Sequence, residues 1–197
     1  EKKPYLEESM RAFQKAIERV SADSPRASQL ADTYWRLSEV QRTLGLTDDA
    51  IDSLSTLIDM DKGMEHPRNA DGWSRFWRAW LYYEQGLENY AIADLTIAIG
   101  LNPNEGLFHA EMGICKWRLK SYLEACEHYL TSFLINKNND IKNDGLVEDL
   151  KNRFEDLKTE IGQTDFETLR NNVFKLICES GLSKDEIDDL WHDLFGD

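Results

Sequence analysis

Residues that interrupt helices are scarce in this sequence of 197 residues, which contains only 4 prolines and 11 glycines. Nowhere do apolar and polar residues alternate over a strand-length segment between turn dipeptides, so the sequence gives no strand signal. Ala, Leu, Glu, Lys and Arg, which favour helices, are spread along the whole chain. The composition therefore predicts an all-α fold.

The sequence also lacks a long apolar run and the features of a secretory signal peptide. No segment approaches the roughly 18 apolar residues that a membrane span needs, and the start has no cationic, apolar, small-residue leader. The 3 cysteines are an odd number without CxxC spacing, which is typical of buried thiols in a reducing compartment. We therefore expect a cytoplasmic protein without a membrane segment.

Basic residues are fewer than acidic residues. The chain has 23 basic and 37 acidic residues, a net charge of −14. Binding of nucleic acid needs a basic face for the phosphates, so we expect no nucleic-acid partner. The charge is uneven, because the segment from Asp144 to the end has 15 acidic and 6 basic residues, a net of −9.

Patterns of catalysis and metal binding are missing as well. The 4 histidines are scattered without HExxH spacing, and no phosphate-binding glycine loop or GxSxG motif occurs. His109, Cys115, Cys126 and His128 share one segment but lack the spacing of zinc ligands, so buried packing is the expected role. We expect no enzymatic activity, no cofactor and no metal site.

What the sequence does contain is an internal repeat. Three segments align on Ala50, Ala91 and Ala125, which are 41 and then 34 residues apart. A small residue lets two antiparallel helices approach, and a bulky residue one turn later fills the groove beside it. One such pair cannot bury its apolar face alone, so pairs stack into a solenoid. The bulky residues four positions after the alanines are Leu54, Leu95 and Tyr129, and the loop positions five before them are Gly45, Gly86 and Lys120.

This pattern resembles the tetratricopeptide repeat (TPR) family. The clearest match covers residues 76–103, with Arg78-Ala79 in the first helix and Leu-Asn-Pro at the end. Residues 112–129 and 34–54 resemble two further repeats, and residues 13–18 resemble the second helix of another. The resemblance implies three and a half repeats in a helix-hairpin solenoid, which we place at residues 1–138.

Two insertions of 7 residues, at 24–30 and 65–71, stretch two repeats from 34 to about 41 residues. Each insertion contains a Pro-Arg pair, and proline suits the first turn of a helix. Each insertion is therefore predicted to lengthen the first helix of its pair.

Residues 139–197 are predicted to form a capping helix followed by an acidic helical hairpin. Apolar residues recur at helical spacing over 146–161, before Gly162, which is typical of the amphipathic helix that closes a solenoid. The alternative is that this region presents an acidic surface to a basic partner. Two capping boxes predict the starts of the last two helices, Thr164 with Glu167 and Ser183 with Glu186.

The resemblance also implies a binding groove, because in this family the first helix of each pair lines the concave face. The groove-facing positions include four of the six tryptophans, and exposed Trp and Tyr are typical anchors of binding surfaces. The alternative is that extended first helices or the C-terminal hairpin fill the groove from within. The predicted groove residues are Trp35, Glu39, Arg42, Trp73, Phe76, Trp80, Tyr83, Ala110, Ile114, Trp117 and the adjacent Arg118.

The sequence therefore predicts a protein–protein adaptor or scaffold that binds a segment of a partner polypeptide. Arg42 and Arg118 could pair with acidic groups of a ligand, although isolated surface charges contribute little. Arg78 is expected to be structural, with Asp94 as its partner. Two alternatives are a secretion-type chaperone for a client protein and a regulatory TPR module of a larger enzyme or sensor.

Binding of a chaperone C-terminal tail is not expected. Co-chaperones of the family grip the terminal carboxylate with Lys, Asn and Arg on successive first helices. The corresponding positions of this sequence do not carry such a set, since they are Trp35, Glu39, Trp77, Leu107 and Glu111.

Overall fold

The described residues of the chain fold into helices, and the predicted all-α class is confirmed. The computed structural model describes residues 3–19, 27–61 and 72–196, and within those ranges it contains 10 helices and no strand. The helices are α1 (Lys3–Glu18), α2 (Ala27–Thr43), α3 (Thr47–Asp61), α4 (Trp73–Glu84), α5 (Glu88–Leu101), α6 (Gly106–Arg118), α7 (Tyr122–Asn138), α8 (Asp144–Ile161), α9 (Gln163–Glu179) and α10 (Lys184–Phe195).

Contacts between the helices divide the chain into two compact units. Unit 1 is Glu1–Pro103 and contains α1 to α5, and unit 2 is Asn104–Asp197 and contains α6 to α10. The division falls within the predicted solenoid of residues 1–138, so the α6/α7 hairpin belongs to the same unit as the C-terminal helices. The predicted boundary after residue 138 coincides with the last residue of α7.

The repeated alanines lie at the centre of the helical hairpins. In unit 1, α2 packs against α3 and α4 packs against α5, and in unit 2 α6 packs against α7. Ala50, Ala91 and Ala125 are each 0 % exposed. The bulky residues that follow one turn later, Leu54, Leu95 and Tyr129, are also buried. The register predicted from the alanine pattern is therefore confirmed.

The three hairpin loops share one backbone conformation. In each loop a residue with positive φ is followed by a residue whose N–H donates to the carbonyl five positions earlier, which satisfies an unpaired carbonyl at the helix end. Two of these positions are glycines, and the third is a lysine that adopts the left-handed region at a cost of about 1 kcal/mol. The φ values are +76° at Gly45, +73° at Gly86 and +62° at Lys120. The hydrogen bonds run from Leu46 to Gln41 (2.9 Å), from Leu87 to Tyr82 (2.9 Å) and from Ser121 to Lys116 (3.0 Å).

The first insertion lengthens α2, as predicted. Residues 27–30 are helical, and α2 has 17 residues, compared with 12 in α4 and 13 in α6. Residues 24–26 and the whole second insertion at 65–71 lie outside the described residues. Helix α4 begins at Trp73 with Gly72 at its N-cap and is no longer than α6, so the predicted lengthening of α4 is wrong.

In unit 2 the C-terminal helices cover α7, so the predicted capping is confirmed. Helices α8, α9 and α10 each contribute buried apolar residues to one core with α7, and each keeps a polar face toward solvent. The buried members of this core are Ala125, Cys126, Tyr129, Leu150, Phe154, Phe166, Val173, Ile177, Leu190 and Leu194.

One of the two predicted capping boxes is present. At the start of α10 the Ser183 hydroxyl accepts from the Glu186 N–H, and the Glu186 carboxylate accepts from the Ser183 N–H at 2.8 Å. The box predicted with Thr164 as the N-cap is wrong. Helix α9 begins at Gln163, so its N-cap is Gly162, two residues before Thr164, and no side chain caps this helix. Gly162 has a φ of +82°, which lets the chain turn directly from α8 into α9. Thr164 therefore lies inside the first helical turn.

We expect substitution of the central alanines by leucine to destabilise the hairpins. A Cβ added at Gly113 on α6 would lie 3.1 Å from the Tyr129 ring and 3.2 Å from the Ala125 carbonyl oxygen, so α6 and α7 have no spare room there. Overpacking by Ala125→Leu or Ala91→Leu should cost about 1–3 kcal/mol, measured by urea unfolding. Ala93→Leu on the exposed face of α5 is the matched control, with an expected change within about 0.5 kcal/mol. Parent-like unfolding of both core variants would contradict the helix register.

Candidate functional site

A row of aromatic side chains follows one side of α4. Trp73, Phe76, Trp77 and Trp80 have the spacing i, i+3, i+4 and i+7, which brings them together on a helix. Their rings meet edge to face, with centroids 5.4 Å apart for Trp73 and Phe76, 5.2 Å for Phe76 and Trp77, and 6.2 Å for Trp77 and Trp80. This geometry is preferred by aromatic pairs. Each ring of the row therefore contacts at least one neighbouring ring.

Two of these tryptophans and Trp35 of α2 are anchored in the core of unit 1. Trp35, Trp77 and Trp80 pack against a buried cluster of α3 and α4 residues, which are Ala50, Leu54 and Leu81. Each of the three indoles is half-buried, so part of its surface stays open to solvent. The tryptophans therefore contribute both to folding and to an accessible apolar surface.

Arg42 of α2 lies over this surface. Its guanidinium carbon is 4.4 Å from the centroid of the Trp77 ring and 5.7 Å from that of the Trp80 ring. Both distances are within the range of favourable cation–π contact. The arginine is half-buried, like the indoles beneath it. We call Trp35, Arg42, Trp77 and Trp80 the Trp–Arg surface.

Three of the predicted groove residues of unit 1, Trp35, Arg42 and Trp80, belong to this surface. The structure brings Arg42 onto Trp80 and packs Trp35 and Trp80 against the same core cluster. Phe76 is 3 % exposed and therefore lies in the core. The predicted set omitted Trp77, although its spacing from Trp73 and Trp80 was a usable signal. Of the remaining members in unit 1, Trp73 and Tyr83 are half-buried and Glu39 is exposed.

The predicted groove residues of unit 2 have different surroundings. Trp117 of α6 meets Phe154 of α8 edge to face, with the ring centroids 5.5 Å apart. Trp117 and Ile114 both pack against the core of unit 2. Ala110 is half-buried and Arg118 is exposed. The C-terminal helices thus cover part of Trp117, and the contribution of these four residues to a groove stays a prediction.

Arg78 forms the predicted ion pair with Asp94. Its Nε donates to Asp94 Oδ2 and its Nη2 donates to Asp94 Oδ1, both at 2.7 Å, and its Nη1 donates to the Ser55 hydroxyl at 2.8 Å. Asp94 is 4 % exposed. Burial works against the charged guanidinium, but the hydrogen bond and the charge of Asp94 outweigh it and raise the pKa of Arg78. The pair links α4 to α5, with Ser55 adding α3, so its role is structural.

Two histidines of the α6/α7 hairpin lie side by side. The Nδ1 atoms of His109 and His128 are 3.3 Å apart. The pKa of His128 is lowered from 6.5 to about 4, mainly by burial and also by the charges of His109 and Lys116, while the charge of Glu124 opposes the shift. Among the described ranges no group of three or more His, Cys, Asp or Glu residues could hold a metal ion.

None of the three cysteines, which all lie within the described ranges, forms a disulfide. Cys115 and Cys126 are buried, whereas Cys178 on α9 is exposed. Burial raises the pKa of the Cys126 thiol to about 12, so the thiolate is disfavoured in the folded state.

The shifted pKa of His128 predicts a dependence of stability on pH. Between pH 6.5 and about 4 the unfolded chain protonates His128 while the folded chain keeps it neutral, so stability is lost as the pH falls. In the His128→Gln variant we expect the acid-induced loss of stability to be smaller than in the parent by about 1–2 kcal/mol. This is less than the whole difference between the folded and unfolded pKa values would give, because part of the ring is exposed to water. Urea midpoints at about pH 7 and pH 4.5 measure it. His192→Gln, at an exposed position of α10, should keep the parent's acid sensitivity, and a parent-like His128→Gln would contradict the prediction.

Antiparallel hairpins with buried alanines at their crossings and a shared left-handed loop define a helical repeat protein, and this chain has the TPR fold. Among solved structures it is similar to the MamA protein, with a TM-score of 0.64 and 15% identity over 92% of this chain and 89% of that one. It is similar to YrrB, described as a TPR protein with an unusual peptide-binding site, with a TM-score of 0.60 and 16% identity over 88% of this chain and 78% of that one.

A third similar structure is the first TPR of Spaghetti (RPAP3) bound to an HSP90 peptide. Its TM-score is 0.54, with 22% identity over 66% of this chain and 94% of that one. No protein-family model and no curated protein matches the sequence. None of the helices in the described ranges is long and apolar enough to cross a membrane.

Proposed function

We propose that this protein is an interaction adaptor that binds a short segment of a partner protein on the Trp–Arg surface of unit 1. The observation that carries the proposal is that three half-buried tryptophans pack against one core cluster and that two of them, Trp77 and Trp80, lie under Arg42. Tryptophan and arginine are the residues most enriched among the energetic anchors of protein interfaces. The binding segment would be apolar where it contacts the indoles.

The way the indoles are held supports binding. Trp35, Trp77 and Trp80 pack against the core, while part of each side chain is accessible. A rigid aromatic surface loses little conformational entropy when a ligand binds, and this raises affinity. Phe76 is the buried member of the row and meets Trp73 and Trp77 edge to face. It would hold these tryptophans in place without contacting the ligand.

The solved structures with this fold are consistent with such a role. YrrB is described as having an unusual peptide-binding site, and the RPAP3 repeat domain is bound to a peptide. We extend the same kind of activity to this chain as a proposal. The predicted groove positions Glu39, Trp73 and Tyr83 would border the bound segment in unit 1.

The proposal is tested by peptide selection followed by measured affinities. A displayed library of random 12-residue peptides is selected on the full chain, and the dissociation constant of the best synthetic peptide is measured by calorimetry. We expect Trp80→Ala to weaken binding by about 30-fold or more, which corresponds to loss of an anchor worth about 2 kcal/mol. Trp80→Phe should recover part of the affinity, because it restores an aromatic surface.

Trp191→Ala is the matched control, since Trp191 is a half-buried tryptophan of unit 2. It should leave the affinity of the peptide within about twofold. Melting temperatures of the same variants separate binding from folding. Failure to select any peptide, or equal affinity for the parent and a folded Trp80→Ala variant, would overturn the proposal.

A further inference from the structure

Arg42 differs from the other arginines that stack on aromatic rings. Arg78, Arg153 and Arg170 each lie over a ring, and each is also paired with a carboxylate, which is Asp94, Asp149 and Glu167 respectively. Arg42 contacts two indole faces. Within the part of the chain that the structure describes, no carboxylate lies within ion-pair distance of its guanidinium.

The stacking leaves the guanidinium ready to bind an anion. The guanidinium carbon lies 4.4 Å from the centroid of the Trp77 ring and 5.7 Å from that of the Trp80 ring, and contact with indole rings leaves the charge of the guanidinium without a counter-ion. Its N–H donors lie in the plane, at the edge, where they form a fork that matches the two oxygens of a carboxylate. Because the indoles already restrict the side chain, less rotamer entropy is lost on pairing.

We infer that Arg42 selects the partner segment by binding the carboxylate of one Asp or Glu side chain, next to an apolar side chain that contacts the indoles of Trp35 and Trp80. This inference rests on the proposed peptide-binding function. The guanidinium of Arg42 has no carboxylate partner among the described residues and lies over the apolar rings of Trp77 and Trp80. Together they fit a ligand with an acidic group and an apolar group side by side.

The surroundings favour a single acidic side chain. Glu39 is exposed one turn before Arg42 on α2, so a run of several carboxylates would meet a negative charge. The net charge of −14 also repels strongly acidic segments at long range. A chain-terminal carboxylate is usually captured by several donors in a backbone nest, whereas here a single guanidinium supplies the donors.

The test is a parallel selection of amidated 12-residue peptides on the parent chain and on Arg42→Gln. Amidation removes the terminal carboxylate, so any carboxylate that is selected belongs to a side chain. We expect Asp and Glu beside an apolar residue to be enriched on the parent and not on the variant. Changing the selected Glu of the best peptide to Gln should weaken binding to the parent by about 10-fold or more, and binding to Arg42→Gln by less than about threefold.

Arg36→Gln is the control, because Arg36 is an exposed arginine of the same helix, and it should preserve the acidic preference. If Trp80→Ala abolishes binding while Arg42→Gln selects the same peptides as the parent, peptide binding on the Trp–Arg surface is supported and the inference that Arg42 binds a carboxylate is contradicted. Binding that requires a free C-terminus would also overturn the inference. If the parent selects no peptide at all, both the proposed function and the inference about Arg42 are contradicted.

Discussion

Replacement of Asp94 by alanine should destabilise unit 1 by about 3–5 kcal/mol, because it leaves a buried guanidinium without its counter-charge. Asp94 accepts two hydrogen bonds of 2.7 Å from Arg78 and lies 3.5 Å from Arg75 Nη1. The side chains of Arg78 and Asp94 are 16% and 6% exposed, so water cannot readily replace the lost partner. Hydrogen exchange of the α4 and α5 amides follows the unfolding of this unit.

A control variant and a double variant distinguish the loss of the counter-charge in Asp94→Ala from the loss of side-chain packing. Asp52→Ala, at an exposed position of α3, should change stability by no more than about 0.5 kcal/mol. Replacing both partners with apolar residues of similar size, as in Arg78→Met with Asp94→Leu, should recover much of the loss, because no buried charge remains unpaired. Equal exchange rates in Asp94→Ala and the parent would contradict the structural role of the pair.

Replacement of Phe154 by alanine should destabilise unit 2 by a similar amount, about 3–5 kcal/mol. The Phe154 side chain is 2 % exposed. Its ring centroid lies 4.8 Å from that of Phe195, 5.5 Å from that of Trp117 and 6.2 Å from that of Phe166. Truncation removes the apolar contacts of the ring and leaves a cavity between helices that cannot collapse fully.

Phe174→Ala tests whether this cost is specific to the buried ring. Phe174 is a phenylalanine of α9 that is 42% exposed, so its truncation should cost less than about 1.5 kcal/mol. Thermal unfolding of the parent and both variants, followed by hydrogen exchange in α8 to α10, measures the difference. A Phe154→Ala variant as stable as Phe174→Ala would mean that the C-terminal helices do not share a core with α6 and α7.

The hairpins could be predicted from the sequence because their signal is local. A small residue at a helix crossing, a bulky residue one turn later and a loop residue five positions earlier are all encoded within about ten residues. Ala50, Ala91 and Ala125 carry that signal. The start of α9 was predicted less well, since the conformation of Gly162 competes with a local capping pattern at Thr164.

The candidate site depends on contacts that a repeat pattern does not specify. Side chains at adjacent positions of a helix point about 100° apart. The family register therefore predicts which of Phe76 and Trp77 faces the groove only if the helix has the rotation about its axis that the register assumes. Phe76 turned out to be buried, and Trp77 lies under Arg42. Contact between Trp117 and Phe154 joins segments that are distant in sequence, and periodicity carries no information about such a pair.

The two units differ in their reactivity toward thiol reagents, because the cysteines are unevenly distributed. All three lie in unit 2, and unit 1 has none. Cys178 is exposed, whereas Cys115 and Cys126 are buried. An alkylating reagent therefore modifies Cys178 at once and reaches the other two thiols only when the α6/α7 hairpin opens. The mass added to the protein over time therefore measures the rate at which unit 2 opens.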